Sequence, residues 1–211
     1  MEKQQSPTPS LQEIRKRVTE SVVKEESEKS PRHKLRDGYD EFLKPYAPFI
    51  TTAVTLTIKK RVRITLKDKS NPENKQQSFW ASLDDDKLSS SMRYLTVRLN
   101  QYCFGNATRH KNKRDNAKLL LLFFVEGDGV YKRKHFHLAL GNIPEQHKSN
   151  IEQIIKLAWQ ECDFANRKND VKPAHNALGW LRYETKEVEY GNPDVFEVVH
   201  SCIPRFIKEI V

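Results

Sequence analysis

The chain has 211 residues, with 37 lysines and arginines against 28 aspartates and glutamates, a formal net charge of +9 and 37% hydrophobic residues. That is enough chain for one domain with a real core and a tail, and its cationic balance suits a polyanionic partner without specifying any chemistry. No apolar stretch approaches the roughly 18 residues of a membrane helix, and the amino terminus is polar where a secretory leader would be apolar. Cys103, Cys162 and Cys202 are widely spaced and odd in number. They form no zinc-ligand pattern and suit a reducing compartment, so no membrane partner and a cytoplasmic location are expected.

In chain order, Met1–Ser10 carries two prolines and reads as frayed. Leu11–Val23 places Leu11, Ile14, Val18 and Val22 on one side of a short amphipathic helix, and Lys24–Arg36 reads as a charged linker or solvated helix end. Residues 1–45 are thus expected to form a helical or flexible arm ahead of a domain over 46–211. Tyr39, Phe42, Tyr46 and Phe49, around two prolines, mark where the chain docks onto that domain. Ala53–Leu66 alternates apolar and polar residues and predicts one long strand or a tight pair, with Val54, Leu56 and Ile58 inward. Lys67–Ser78 reads as a loop. Asp84–Asp86 suit the positive end of a helix over Lys87–Tyr102, with Leu88, Met92, Leu95, Leu99 and Tyr102 on its buried stripe and Gly105 as its stop.

A basic segment, Arg109–Lys118, follows. It is either a solvated loop or, through Arg109, Lys111, Lys113 and Arg114, a holder of nucleic-acid phosphates. Lys132, Arg133 and Lys134 have the same two readings. Between them runs KLLLLFFVEGDGVYKRKHFHLAL, Lys118–Leu140. Its apolar run Leu119–Val125, closed by Gly127-Asp128-Gly129, predicts a buried strand, a turn, and a second strand from His135. Side chains alternate along a strand, so His135 and His137 share one face and Phe136 enters the opposite layer. If Glu126 pairs near His135, one carboxylate and two imidazoles fall within reach of a single divalent cation. Ligand type alone does not separate magnesium or manganese from zinc. Pro144 then opens a helix through about Cys162, with Ile151, Ile154, Ile155, Ala158 and Trp159 facing the core.

The last informative stretch is GWLRYETKEVEY, Gly179–Tyr190. Trp180 and Leu181 anchor it, and a helix puts Tyr183, Lys186, Glu187 and Tyr190 on one face, Tyr183 beside Lys186. A phenol has an ordinary pKa of about 10 and attacks poorly near neutrality. A neighbouring ammonium and a metal-bound phosphate both assist it. The alternative is a surface turn carrying an unremarkable tyrosine.

Taken together, His135-Phe136-His137 with Glu126 upstream, and Tyr183-Glu184-Thr185-Lys186 downstream, resemble the HUH endonucleases. The pattern is most similar to the single-tyrosine rolling-circle replication initiators of phages and plasmids. Ala53–Ile58 resembles that family's first strand, and Leu99-Asn100 with Phe104-Gly105 the segment before its hairpin, so the resemblance spans roughly residues 50–190. The tyrosine follows the histidines, unlike in conjugative relaxases. Residues 179 and 187 are Gly179 and Glu187, so no second catalytic tyrosine stands four residues away. No phosphate-cradling G-x-x-x-x-G-K-[ST] occurs, so a separate helicase would unwind the DNA.

The resemblance implies an α+β fold built on a central antiparallel sheet of about five strands with packed helices. It implies Mg²⁺ or Mn²⁺ held by Glu126, His135 and His137, with Tyr183 and Lys186 as catalytic residues. It further implies single-stranded or hairpin origin DNA as substrate, with host replication proteins acting alongside in a bacterial or archaeal cell. A single-tyrosine transposase with the same site, a DNA-binding module that keeps the fold without cleaving, and a structural zinc site in an unrelated basic α+β protein, with Cys103 as a fourth ligand, are the other readings.

Overall fold

The computed structural model describes residues 30–66, 77–110, 113, 115–127 and 133–211. The expectations for 1–29 and for most of the 67–78 loop lie outside the described residues, as do Lys111, Arg114 and Lys132. The fold is α+β, as expected. Its elements run α1 (Pro31–Leu43), a 3-10 turn (Lys44–Phe49), β1 (Ile50–Ile58), β2 (Arg61–Leu66), β3 (Gln77–Ser82) and α2 (Asp85–Phe104). After these come β4 (Leu120–Glu126), β5 (His135–Gly141), α3 (Ile151–Gln160), β6 (Ala165–Pro173), α4 (Ala177–Glu184), a 3-10 turn (Thr185–Val188) and α5 (Arg205–Ile210). No helix among the described residues is long and apolar enough to cross a membrane.

The main sheet is antiparallel with order β4-β5-β1-β6, four strands rather than five. On the outer side of β4 the chain near the carboxyl end supplies scattered pairings in place of a fifth strand. Leu121 exchanges backbone bonds with Cys202 (2.8 and 2.7 Å), and the Val125 N–H donates to the Val195 carbonyl at 2.8 Å. β4 is therefore buried on both sides despite its outer place, which is why its sequence is an unbroken apolar run.

Each face of this sheet has its own core. Val54, Leu56, Phe123, Phe136 and Leu138 pack on one face against Leu95 and Leu99 of α2 and Ile155 and Trp159 of α3. Leu122, Phe124 and Ala139 pack on the other face, beneath Leu43 of α1, Leu181 of α4, and Phe196. Phe136 is fully buried and meets Phe123 and Trp159 edge-on, with ring centroids 6.1 and 5.7 Å away. The side chain between the two histidines thus locks β5 into the core. Phe136→Ala should cost about 3–5 kcal/mol, read as a lowered midpoint in urea unfolding.

The α2 expectation holds in outline: the Asp84 carboxylate accepts from the Lys87 N–H at 2.9 Å, and Gly105 ends the helix with φ of +54°. Tyr102 corrects it. That ring lies at the surface, where its hydroxyl donates to Glu161 at 2.5 Å and Arg98 stacks on it at 5.0 Å. The helix expected from Pro144 opens instead as a 3-10 turn (Glu145–Asn150) before α3 begins.

Two further departures concern strands. Ala53–Leu66 forms neither one strand nor a hairpin: β1 ends at Ile58, and after Lys59-Lys60 β2 leaves to pair with β3 in a separate two-stranded ribbon. β6, reading ANRKNDVKP, is an edge strand whose charged residues face water, which shields the open edge from pairing with other chains.

Residues placed in the amino-terminal arm belong in part to the folded body. Ser30 caps α1 and Pro31 occupies its first turn. The helix then grips the segment around Tyr183. Arg36 pairs with Glu189 and donates to the Arg182 carbonyl at 3.2 Å, and Thr185 donates to Asp40 at 3.2 Å.

Candidate metal centre and tyrosine

Glu126 lies directly opposite His135 in the β4–β5 ladder, the register the hairpin required. The pleat then puts Glu126, His135 and His137 on one face, under α4. Glu126 Oε2 is 2.9 Å from His135 Nε2 and 2.8 Å from His137 Nε2. The ligand atoms of all three residues lie within 4.8 Å of one another. Glu126 and His137 are buried, and His135 is half-buried.

The far sides of the two rings fix which nitrogen carries hydrogen. His135 Nδ1 faces the Arg133 carbonyl at 3.0 Å, and a carbonyl only accepts, so Nδ1 donates. His137 Nδ1 faces the Glu184 carboxylate at 3.3 Å, with the Thr55 hydroxyl at 3.2 Å. With Nδ1 donating in both rings, both Nε2 lone pairs aim at a carboxylate oxygen that is also an acceptor. Three acceptors converging this closely repel one another unless a cation or a proton lies among them. The donor set therefore fits a metal. Burial pushes His137 down to about 4, against the opposing pull of Glu126, so the ring is neutral and ready to ligate at pH 7.

Glu184 is the residue the sequence reading missed. It is 3% exposed, stands next to Tyr183 and orients His137 from behind, as carboxylates do at many histidine–metal centres. Nothing local in Arg182-Tyr183-Glu184-Thr185-Lys186 singles it out, since charged and polar residues flank it on both sides. Glu184→Gln should weaken Mn²⁺ binding by about 10- to 100-fold in calorimetry, since an amide can face Nδ1 with either end.

Tyr183 and Lys186 are brought to this cluster. Trp180 docks α4 edge-on against Phe124 of β4, with centroids 5.9 Å apart, and lies 6.4 Å from the His137 ring. The helix ends at Glu184 and runs straight on into the 3-10 turn, so residues three apart across the junction stay on one side. Lys186 Nζ accordingly sits 3.2 Å from the Tyr183 ring centroid and 3.7 Å from Glu126 Oε1, between the phenol and the cluster. Tyr183 itself is 57% exposed, its ring open to solvent. Tyr190 lies beyond the turn and does not share that continuous helical face. With Glu187 it borders an open cleft of about 770 Å³ whose lining includes Asp85, Asp194 and Glu197. That acidic lining disfavours phosphate.

The basic residues separate in space. Arg133 is exposed and Lys134 pairs with Asp85 at 3.0 Å, both immediately before His135. Arg109 and Lys113 are exposed but precede β4, whose Leu120 end lies a strand length of ~20 Å from Glu126. The three cysteines are unpaired thiols, and Cys103 lies in the core on the sheet face opposite the histidines. No protein-family profile, curated protein or solved structure matches this chain.

Proposed function

We propose that the chain is a metal-dependent endonuclease and strand transferase of the HUH type. It nicks single-stranded DNA through a covalent 5′-phosphotyrosine to start rolling-circle replication of a mobile element. The observation that carries this reading is the position of Lys186 Nζ, 3.2 Å from the Tyr183 ring and 3.7 Å from a carboxylate that meets two imidazoles. A core histidine cluster would need neither an exposed phenol nor an ammonium beside it.

Glu126, His135 and His137 would hold Mg²⁺ or Mn²⁺, which supplies Lewis-acid polarisation of a phosphate oxygen. Tyr183 attacks the scissile phosphorus in line. Its hydroxyl gives up the proton to solvent water, a bond forms from Oη to the 5′ phosphate, and the bond to the 3′ oxygen breaks. The departing oxygen keeps the electron pair and is protonated to a 3′-OH that primes synthesis. Lys186 offsets the charge gathering at phosphorus and favours the phenolate. Each step exchanges one phosphate ester for another, so the reverse attack rejoins strands without ATP. A hairpin origin in a bacterial or archaeal cytoplasm, with a separate helicase and host replication proteins, completes the reading.

The test is incubation of the chain with labelled single-stranded oligonucleotides from its own flanking DNA, with Mn²⁺ or with EDTA. An adduct that survives SDS and disappears with EDTA is expected. Intact oligonucleotides under every condition would overturn the reading.

A further inference from the structure

The β2–β3 ribbon plays no part in the chemistry above, yet it has an unusual surface. Its outward face pairs Arg61 with Ser82, Arg63 with Trp80 and Thr65 with Ser78, while Val62 and Ala81 turn into the core. Trp80 is 63% exposed, whereas Trp159 is fully buried. An exposed indole set among guanidinium groups presents a flat face on which a base can stack. The Arg61 guanidinium lies 6.0 Å from the Trp80 ring, and two hydrogen bonds to the Ser78 hydroxyl (3.0 and 2.8 Å) steady Arg63 beside it. Lys59 and Lys60 are also exposed, and no carboxylate occurs among residues 59–66 or 77–83.

The ribbon is rooted at the site. β1 runs antiparallel to β5 with Thr57 opposite His135, so the chain leaves the sheet at the histidine end and enters β2 three residues after Ile58. A backbone bond from Leu83 N–H to the Lys60 carbonyl at 2.9 Å closes the ribbon's base. The ribbon thus starts from the histidine end of β1, and Lys59, Lys60, Arg61 and Arg63 make its surface cationic.

We propose that Trp80, flanked by Arg61 and Arg63, is a stacking platform for an unpaired base of the DNA strand running to or from the cleavage site. The inference rests on the reading of the chain as acting on single-stranded DNA. An aromatic face accepts any base, and the guanidinium groups take the adjoining phosphates, so the contact holds the strand without reading its sequence. Duplex DNA offers no free base face to Trp80.

Oligo(dT), which carries no origin sequence, is the probe, added in EDTA so that neither cation nor nicking is involved. The intact chain should bind it with quenching of tryptophan emission. Trp80→Ala should lose most of that quench and bind about tenfold or more weakly, while Trp80→Phe stays close to the parent. Arg61→Ala with Arg63→Ala should flatten the slope of log K against log salt by about 1.4. Circular dichroism confirms that each variant melts like the parent, as substitutions on an exposed face should. Unchanged oligo(dT) affinity in Trp80→Ala would overturn the proposal. So would equal quenching by a blunt duplex, or quenching by phosphatidylserine vesicles without any response to oligo(dT). Because the assay needs no cleavage, loss of nicking activity and loss of this contact are separately readable.

Discussion

Tyr183→Phe should eliminate the SDS-resistant adduct and lower nicking about a thousandfold or more, with oligonucleotide binding unchanged within about twofold. The substitution removes one oxygen from an exposed ring and leaves the rest in place. Phenylalanine presents the same face to the Lys186 ammonium at the 3.2 Å position, so charge near the cluster is preserved. Trp180 and Leu181 still dock α4, and Arg36, Asp40 and Thr185 still hold the turn. Any loss therefore reports the missing nucleophile. Retained nicking in the variant would assign attack to another group, such as a water molecule activated at the cluster.

Glu126→Ala should abolish Mn²⁺ binding, with affinity down about a hundredfold or more in calorimetry, and the adduct should vanish with it. That estimate is a floor set by outer partners of metal ligands, whose loss costs about 10- to 100-fold. Glu126 holds the centre together: one oxygen meets both Nε2 atoms, and the other faces Lys186 Nζ at 3.7 Å. Alanine leaves two imidazoles and an ammonium with no negative charge from that position. Glu126→Gln keeps the shape but supplies a neutral oxygen, and its affinity should fall between the two. Undiminished Mn²⁺ binding in Glu126→Ala would place the cation elsewhere.

The parts of this architecture that were legible in the sequence are those under a single strong constraint. β4 is buried on both faces and reads as a continuous apolar run. Its pairing with β5 and the two-residue alternation of His135 and His137 then decide which side chains share a face, while Asp128 and Gly129 of the expected turn lie outside the described residues. α2 and α3 pack one side onto the core, and their periodicity shows it, apart from Tyr102, whose hydroxyl is held at the surface by Glu161. β6 was invisible because an exposed edge strand needs backbone pairing and no apolar pattern. The break after Ile58 was hidden because β1 and β2 each alternate, and nothing local says that they belong to different sheets. About five strands were expected and four form; the carboxyl-terminal chain adds only isolated bridges to β4.

The site divides along the same line. Ligand types and their shared face follow from spacing along one hairpin. Glu184 does not, because its role depends on how α4 crosses the sheet, which Trp180, Leu181 and α1 decide together. The contact between Tyr183 and Lys186 was expected from helical spacing, and it forms across the junction of α4 and the 3-10 turn that follows.

The most direct test of the central claim is mass spectrometry of the SDS-resistant adduct after nuclease and protease digestion. The account predicts a 5′-phosphonucleotide on the peptide containing Tyr183, formed only with Mg²⁺ or Mn²⁺. A nucleotide attached to Tyr190, or cleavage products with no tyrosine modified, would contradict it.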